Sequence, residues 1–366
     1  MVGESCLPEG FLEVPFEIYG EDPLWVPERS DQVVASFSPK NPWFETGEAI
    51  ARVIPGEARI AGFCSPETRI EGEQAVFFGY FETLGDQDAA AALLDEVRRW
   101  GKERGARYIC GPINFSTYGT YRVRTEVLDE GTPFVGEPYT PLYFAEVLAE
   151  LGLEAVSPAV TQISPNDTMR PVWQKYLPLV GQLEAKGFRF ESMTPEVWLG
   201  NLPALHEIIN QMFGQNFGYS RLSYELFCRM CGEAFVGRLD PKVSQVVYGP
   251  DGSIVAFDLI VPHYGPLMVQ GAGEARLELD ALRYSEHFDG LKDHGKVGAI
   301  HKTLAVHPDY RQTRVFGAMV CKAFEAGDGT YDEWYGALVR EDNPSRRFAD
   351  GVAVDSRRYA LFGAAL

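Results

Sequence analysis

The chain has 366 residues, 45% apolar and 13% aromatic, and a net charge of −19. That length suits two domains of roughly 150 residues, or one large α/β domain, with ample material for a core. So acidic a chain repels phosphate backbones and carries no basic patch, so nucleic acid is excluded as a partner and a small-molecule or cationic partner is expected. Apolar runs such as Ala75 to Tyr80 are too short to cross a bilayer, so no transmembrane segment and no membrane partner are expected. Met1 to Gly10 has neither a basic nor an apolar leader segment, so the expected location is cytoplasmic. Cys6, Cys64, Cys110, Cys228, Cys231 and Cys321 are scattered, as suits a reducing compartment. Cys228 and Cys231 form a CxxC at helical spacing with no second CxxC or His pair, which reads as buried helix thiols and not as a metal site.

In chain order, Ala75 to Glu82 reads as an apolar strand. Asp86 to Gly105 reads as a helix, with Leu93, Leu94, Val97 and Trp100 on one stripe and Gly105 as its stop, and Tyr108 to Gly111 as the next strand. Pro171 to Lys186 is expected to be helical and to lead into the strand Phe188 to Ser192. The order then repeats: strand Val297 to Val306; helix Thr313 to Ala326 with Val315, Phe316, Met319, Val320 and Phe324 inward; strand Trp334 to Val339. The expected organisation is an N-terminal domain over 1–167, a connecting helix over 168–186 and a C-terminal domain over 187–366. Gly119 and the Gly271/Gly273 pair read as single turn signals, and no GxGxxG, Walker loop or HExxH is present.

Chemical content concentrates in Leu304 to Val320, LAVHPDYRQTRVFGAMV. Pro308 stops the strand after Val306, and Thr313 is placed to cap the helix that follows. A helix N-terminus offers unpaired N–H groups and partial positive charge, and Arg311 and Arg314 sit upon it: either an anion site fit for a pyrophosphate, or an ordinary turn with two solvated arginines.

"LAVHPDYR" before an apolar helix, with "EDN" (Glu341 to Asn343) after the next strand, resembles the central motif of the Gcn5-related N-acetyltransferase (GNAT) superfamily. Asp22 to Pro27 (DPLWVP), Phe77 to Glu82 (FFGYFE), Gly111 to Ser116 (GPINFS) and Pro138 to Phe144 (PYTPLYF) resemble an uncharacterised branch of it. The resemblance implies an α/β chain of tandem GNAT-like domains, with twisted mixed sheets flanked by helices. It implies an acyl-CoA, acetyl-CoA or another, as co-substrate with no metal, and a small-molecule amine as acceptor. Val306, Arg311, Gln312, Arg314, Gly317 and Ala318 would then line the pyrophosphate loop, and Asn343 would bond the pantetheine. Gln312, Arg314 and Phe316 stand where the loop ordinarily carries glycines. That substitution keeps open a non-catalytic ligand-binding or scaffold protein. Acyl transfer from a carrier-protein or tRNA-bound donor is the other alternative, and the acidic charge argues against both such donors.

In the N-terminal copy the matching turn carries Asp86 and Asp88, whose like charge opposes a pyrophosphate, so CoA is not expected there. Acyl transfer to an amine needs a base, and in the superfamily it commonly stands on the strand before the loop. By period two, His301 and Thr303 share one face of that strand and Lys302 takes the other. An imidazole ordinarily titrates near pH 6.5, so His301 is the candidate base and His263 the next, each with a structural alternative. Asn114, Ser116, Tyr118, Phe217 and Tyr219 are candidates for the acceptor pocket or, equally, for turns and packing. The helix after Asn343 lacks the tyrosine that would protonate the leaving thiolate. Tyr359, the nearest hydroxyl, reads as packing.

Overall fold

The computed structural model describes residues 7–129, 131–269 and 276–366, so Cys6 and the Gly271/Gly273 pair lie outside the described residues. The strands are β1 (Glu48–Ile54), β2 (Ala58–Cys64), β3 (Arg69–Ile70), β4 (Glu73–Thr83), β5 (Tyr108–Gly111), β6 (Val123–Val127) and β7 (Glu154–Pro165). They continue with β8 (Arg189–Ser192), β9 (Gln245–Tyr248), β10 (Ile254–Pro262), β11 (Gly298–Val306), β12 (Glu333–Arg340) and β13 (Val354–Ala365). Two compact units form: the first from residues up to 159 with 216–226 and 357–366, the second from 160–215 and 227–356. The division therefore falls within β7, ahead of the 168–186 segment, and the chain's last ten residues belong to the first unit. That segment is not one helix. Asn166–Tyr176 and Pro178–Glu184 are separate, because Pro178 has no N–H to continue a ladder and opens a new helix instead.

In the first unit the sheet runs β1-β2-β4-β5-β13, antiparallel except for the β4–β5 pair. The helix Gln87–Glu103 starts where Asp86 accepts bonds from the N–H groups of Asp88 and Ala89, and ends before Gly105, whose φ of +78° suits glycine. Its stripe of Leu93, Leu94 and Val97 packs on Val76, Phe78 and Ile109, while Phe11, Phe37, Phe63 and Phe77 fill the opposite face. Full burial of each such side chain contributes about 2 kcal/mol.

The second unit has the order β7-β12-β11-β10-β9-β8. Strands β8 to β11 form an antiparallel meander and β11–β12 is parallel. Val315, Ala318 and Met319 of the helix Val315–Gly327 join Val180 and Leu183 against Val247, Val255 and Ala256. Phe316, expected inward, is half-buried and meets Phe348 edge-on at 5.8 Å. Each unit thus carries an antiparallel pair, a helix and a parallel strand. In each, the antiparallel pair has an irregularity, between Arg59 and Ala61 of β2 and between Leu259 and Ile260 of β10.

One ionic cluster lies inside the first unit. Arg59, 2% exposed, is 3.1 Å from Glu28 and 3.6 Å from Glu82, and Tyr19 donates to Glu82 at 2.7 Å. Burial outweighs the pull of Arg59 and pushes the Glu82 carboxyl up to about 7. A carboxyl whose pKa is higher in the folded chain than in the unfolded one loses stability as pH rises between the two values. Stability is therefore expected to fall on the order of 3 kcal/mol from about pH 4.5 to about pH 7 through this group. Denaturant unfolding of Glu82→Gln should show that slope removed; an unchanged slope would assign it to another group.

Candidate active site

The parallel ladder between β11 and β12 pairs Gly298 with Glu333 and ends at His301 with Gly336, although β11 runs on to Val306 and β12 to Arg340. Past that pair the two strands no longer bond each other, and Leu338 in β12 takes a φ of +53°. The opening faces the turn that follows Val306. There a 3₁₀ helix, Pro308–Thr313, leads through Arg314 into the helix Val315–Gly327.

Arg314 has φ 67° and ψ 12°, left-handed backbone that a non-glycine residue holds at a cost of about 1 kcal/mol. Glycine adopts this conformation without penalty. Thr313 does not cap the helix: its hydroxyl donates to the Tyr310 carbonyl at 2.6 Å, because the 3₁₀ turn brings that acceptor closer than the helix start. The first N–H groups, at Val315, Phe316 and Gly317, have no partner within the helix. Ala318 is different, being fully buried with its N–H bonded to the Arg314 carbonyl at 3.2 Å. Arg311, Gln312 and Arg314 are exposed. Arg311 makes only long bonds, 3.4 Å each, to the Val306 and Met212 carbonyls.

His301 stands at the apex of the opening. Its Nδ1 lies 2.8 Å from Oδ2 of the fully buried Asp258, and its ring contacts Phe324 and Trp334 at 5.7 and 5.6 Å. A carboxylate accepts, so the proton sits on Nδ1 and the Nε2 lone pair is left. Nε2 is buried with no hydrogen-bond partner among the described residues, and an orphan of this kind calls for a ligand or water. The expected pairing of His301 with Thr303 on one face does not occur. Leu259 pairs with Thr303 and Ile260 with His301, leaving Lys302 as an extra residue in β11. Cross-strand partners share a face and Leu259 and Ile260 point oppositely, so His301 and Thr303 do too.

Two groups escaped the sequence reading. Asp258 sits within the wholly buried run Ile254 to Pro262, where nothing marks it as a histidine partner. Lys302, expected on the far face of the strand, is the bulged residue of β11. Burial, with Arg238 adding to it, lowers its ammonium to about 8. A bulge has no sequence signal without glycine, which is why neither the face change nor the lysine was legible.

The remaining candidates divide between the units. Asn343 is exposed, and its side-chain oxygen accepts from the Ser345 N–H at 3.0 Å. His263 accepts from the Gly265 N–H at 3.2 Å and stands edge-on to Tyr335. Its own N–H bonds Gly298, at the end of β11 remote from the opening. In the first unit the β4–β5 ladder also stops early, at Phe77 and Cys110, but there the chain fills the gap. Ile113 N–H bonds Phe78 O, and Asn114 Oδ1 accepts from Tyr80 N–H at 2.8 Å. A Cβ on Gly79 would lie 2.5 Å from the Ile113 carbonyl, so only glycine permits that approach. Ser116 is buried and accepts from the Tyr118 N–H. The Tyr118 and Tyr219 hydroxyls meet at 3.1 Å, and Phe217 packs on the core beside Phe77. Tyr359 is buried and donates to Glu137 at 2.7 Å. Cys231 follows the helix Tyr224–Met230, and burial pushes its thiol up to about 12. Among the described residues no cluster of His, Cys, Asp or Glu has metal-binding geometry, and no helix is long and apolar enough to cross a membrane.

No family model matches the chain. Among curated proteins it is similar to Protein YghO of Escherichia coli (strain K12), 22% identical over 309 residues that span 77% of this chain and 78% of that protein. Among solved structures it resembles a tandem GNAT protein from the clavulanic acid biosynthesis pathway, with TM-score 0.50 and 12% identity over 97% of this chain and 94% of that one. It also resembles a conserved protein of Enterococcus faecalis V583 described as a probable N-acyltransferase, with TM-score 0.52 and 7% identity over 100% and 71%. The chain has the tandem GNAT fold, a mixed α/β architecture with helices flanking twisted mixed sheet.

The strain at Arg314 makes a direct prediction. Arg314→Gly should raise unfolding stability by about 1 kcal/mol relative to the parent, because glycine adopts that φ without penalty. Equilibrium denaturation measures it, and a loss of stability would show that the arginine side chain contributes more than its backbone costs.

Proposed function

We propose that the second unit binds an acyl-CoA, in the first instance acetyl-CoA, and transfers its acyl group to the amine of a small molecule. The observation that carries this reading is the retained left-handed loop at Arg314, set between an open strand pair and a helix start with free N–H groups. The N–H groups of Val315, Phe316 and Gly317 would take the pyrophosphate oxygens, with Arg311, Gln312 and Arg314 supplying charge and donors around them. Val306 flanks the pantetheine as it enters the opening, and Asn343 retains its side-chain N–H₂ for a pantetheine amide. Gly317 has room beside it, since a Cβ there would meet only Leu179 at 4.0 Å. Ala318 serves as packing beneath the loop and not as a donor.

His301, held by Asp258, is the base in this reading: its Nε2 takes the ammonium proton of the acceptor, directly or through one water. The amine then attacks the thioester carbonyl, the tetrahedral intermediate collapses with the C–S bond broken, and the remaining excess proton on nitrogen passes through solvent to the departing CoA thiolate. Thr303, on the opposite face from His301, takes no part in this step. In the first unit, Asn114 and Ser116 are spent on local bonds, the Tyr118 and Tyr219 hydroxyls meet each other, and Phe217 packs on the core. The first unit is proposed to be a degenerate copy. Asp86 already satisfies the N–H groups of Asp88 and Ala89 where a pyrophosphate would sit, and residues 112–114 occupy its strand opening.

Arg314 and Phe316 in place of glycines favour a second reading, a protein that keeps the fold and binds a ligand without chemistry. Acetyl-CoA at about 100 times its Kd should stabilise the catalytic form by about 2.7 kcal/mol, and no shift in melting temperature would favour the second reading. Arg311→Ala should weaken CoA binding by about 1.5 to 3 kcal/mol with little change in melting temperature; calorimetry showing equal affinity would remove that residue from the site. His301→Ala should lower kcat/KM by about 10² to 10⁴ while keeping the parent's melting temperature. A lowered melting temperature with kcat/KM of the surviving folded protein intact would instead assign His301 a structural role.

A further inference from the structure

The first unit contains a cavity of about 290 Å³ that the proposed acyl transfer does not use. Its walls include Glu17 and Tyr19 from the helix Val14–Tyr19, Asp22 from the DPLWVP segment, Arg124 from β6, and Tyr139 and Tyr143 from the PYTPLYF segment. Two of the sequence blocks that the acyl-transfer site leaves unexplained therefore meet here.

The walls are held in place. Tyr139 donates to Asp22 Oδ2, Tyr19 to Glu82 and Tyr143 to the Thr83 carbonyl, each at 2.7 Å. The other oxygen of Asp22 accepts from the Leu24 N–H at 2.9 Å. The guanidinium of Arg124 lies 3.9 Å over the Tyr139 ring, and its Nε donates to the Thr140 carbonyl at 2.7 Å. The three aromatic rings are thus braced and the single lining cation is aimed by two contacts, a preorganised arrangement that lowers the cost of binding. Charge is divided, with carboxylates at Glu17 and Asp22 and a guanidinium at Arg124. A planar guanidinium pairs with carboxylate geometry, and carboxylates beside tyrosine rings suit an ammonium.

We propose that this cavity binds a free amino acid as its zwitterion. Arg124 takes the α-carboxylate, Asp22 and Glu17 take the α-ammonium, and the tyrosine rings bound the side chain. The pocket opens to solvent and has room for one such molecule.

The test uses the full chain. Melting temperature is measured with each of the twenty L-amino acids at 10 mM, and the strongest binder is titrated by calorimetry. Its decarboxylated amine and its deaminated acid are titrated alongside. At least one amino acid should raise the melting temperature, and each half-molecule should bind at least tenfold more weakly. Arg124→Gln should lower affinity at least tenfold while leaving the acetyl-CoA response of the second unit as in the parent. Should Arg124→Gln not fold, Asp22→Asn is used, with the same tenfold loss expected. If no amino acid shifts the melting temperature, or if the half-molecules or the variant bind as tightly as the intact pair, the proposal is overturned. The acetyl-CoA response is recorded separately, so failure here and failure of the acyl-transfer reading are told apart.

Discussion

The early end of the β11–β12 ladder is the constraint from which the geometry of the second unit's candidate site follows. Backbone donors and acceptors must be satisfied, and two adjacent parallel strands ordinarily bond along their shared length. Here pairing stops at His301 and Gly336. Beyond that point β11 continues by bonding β10 alone, with Lys302 as its extra residue. The extra residue turns Thr303 away from His301, directs His301 toward Asp258 and the Phe324 and Trp334 rings, and brings the strand's end to the turn at Pro308. A regular ladder would have kept His301 and Thr303 on one face.

The first unit meets the same constraint differently. Its β4–β5 ladder also ends after three pairs, yet residues 112–114 fold back to bond Phe78 and Tyr80. A carboxylate likewise occupies the start of its helix. Two architecturally equivalent openings are thus treated oppositely, one filled by its own chain and one left open. The physical difference lies in a few residues: Gly79, Asn114 and Asp86 on one side, Arg314 and Gly317 on the other.

Much of this was legible in the sequence because it rests on local rules. The stripe of Leu93, Leu94 and Val97, the stop at Gly105, the strand ending before Pro308 and the strand over Tyr108 to Gly111 follow from periodicity and turn chemistry. The division near β7 was not legible, since no composition change marks where β7 passes between units, and the return of residues 357–366 to the first unit is a long-range pairing. Thr313 was misread as a cap because its hydroxyl found the nearer Tyr310 carbonyl. The Asp258–His301 pair joins residues 43 apart in sequence, and the Lys302 bulge breaks the strict alternation on which strand faces are read. The geometry of the candidate site depends on contacts that no single segment encodes.

The central claim is that acyl-CoA is held at the start of the Val315–Gly327 helix and within the opening beside it. Amide hydrogen–deuterium exchange with and without acetyl-CoA tests this most directly, because the helix-start N–H groups lack intrahelical partners and should exchange rapidly until a ligand covers them. The account predicts slowed exchange at Val315, Phe316 and Gly317, and at residues 337–340, with Asp88 and Ala90 unchanged. Protection confined to Asp88–Ala90, or none in either unit at saturating acetyl-CoA, would contradict it.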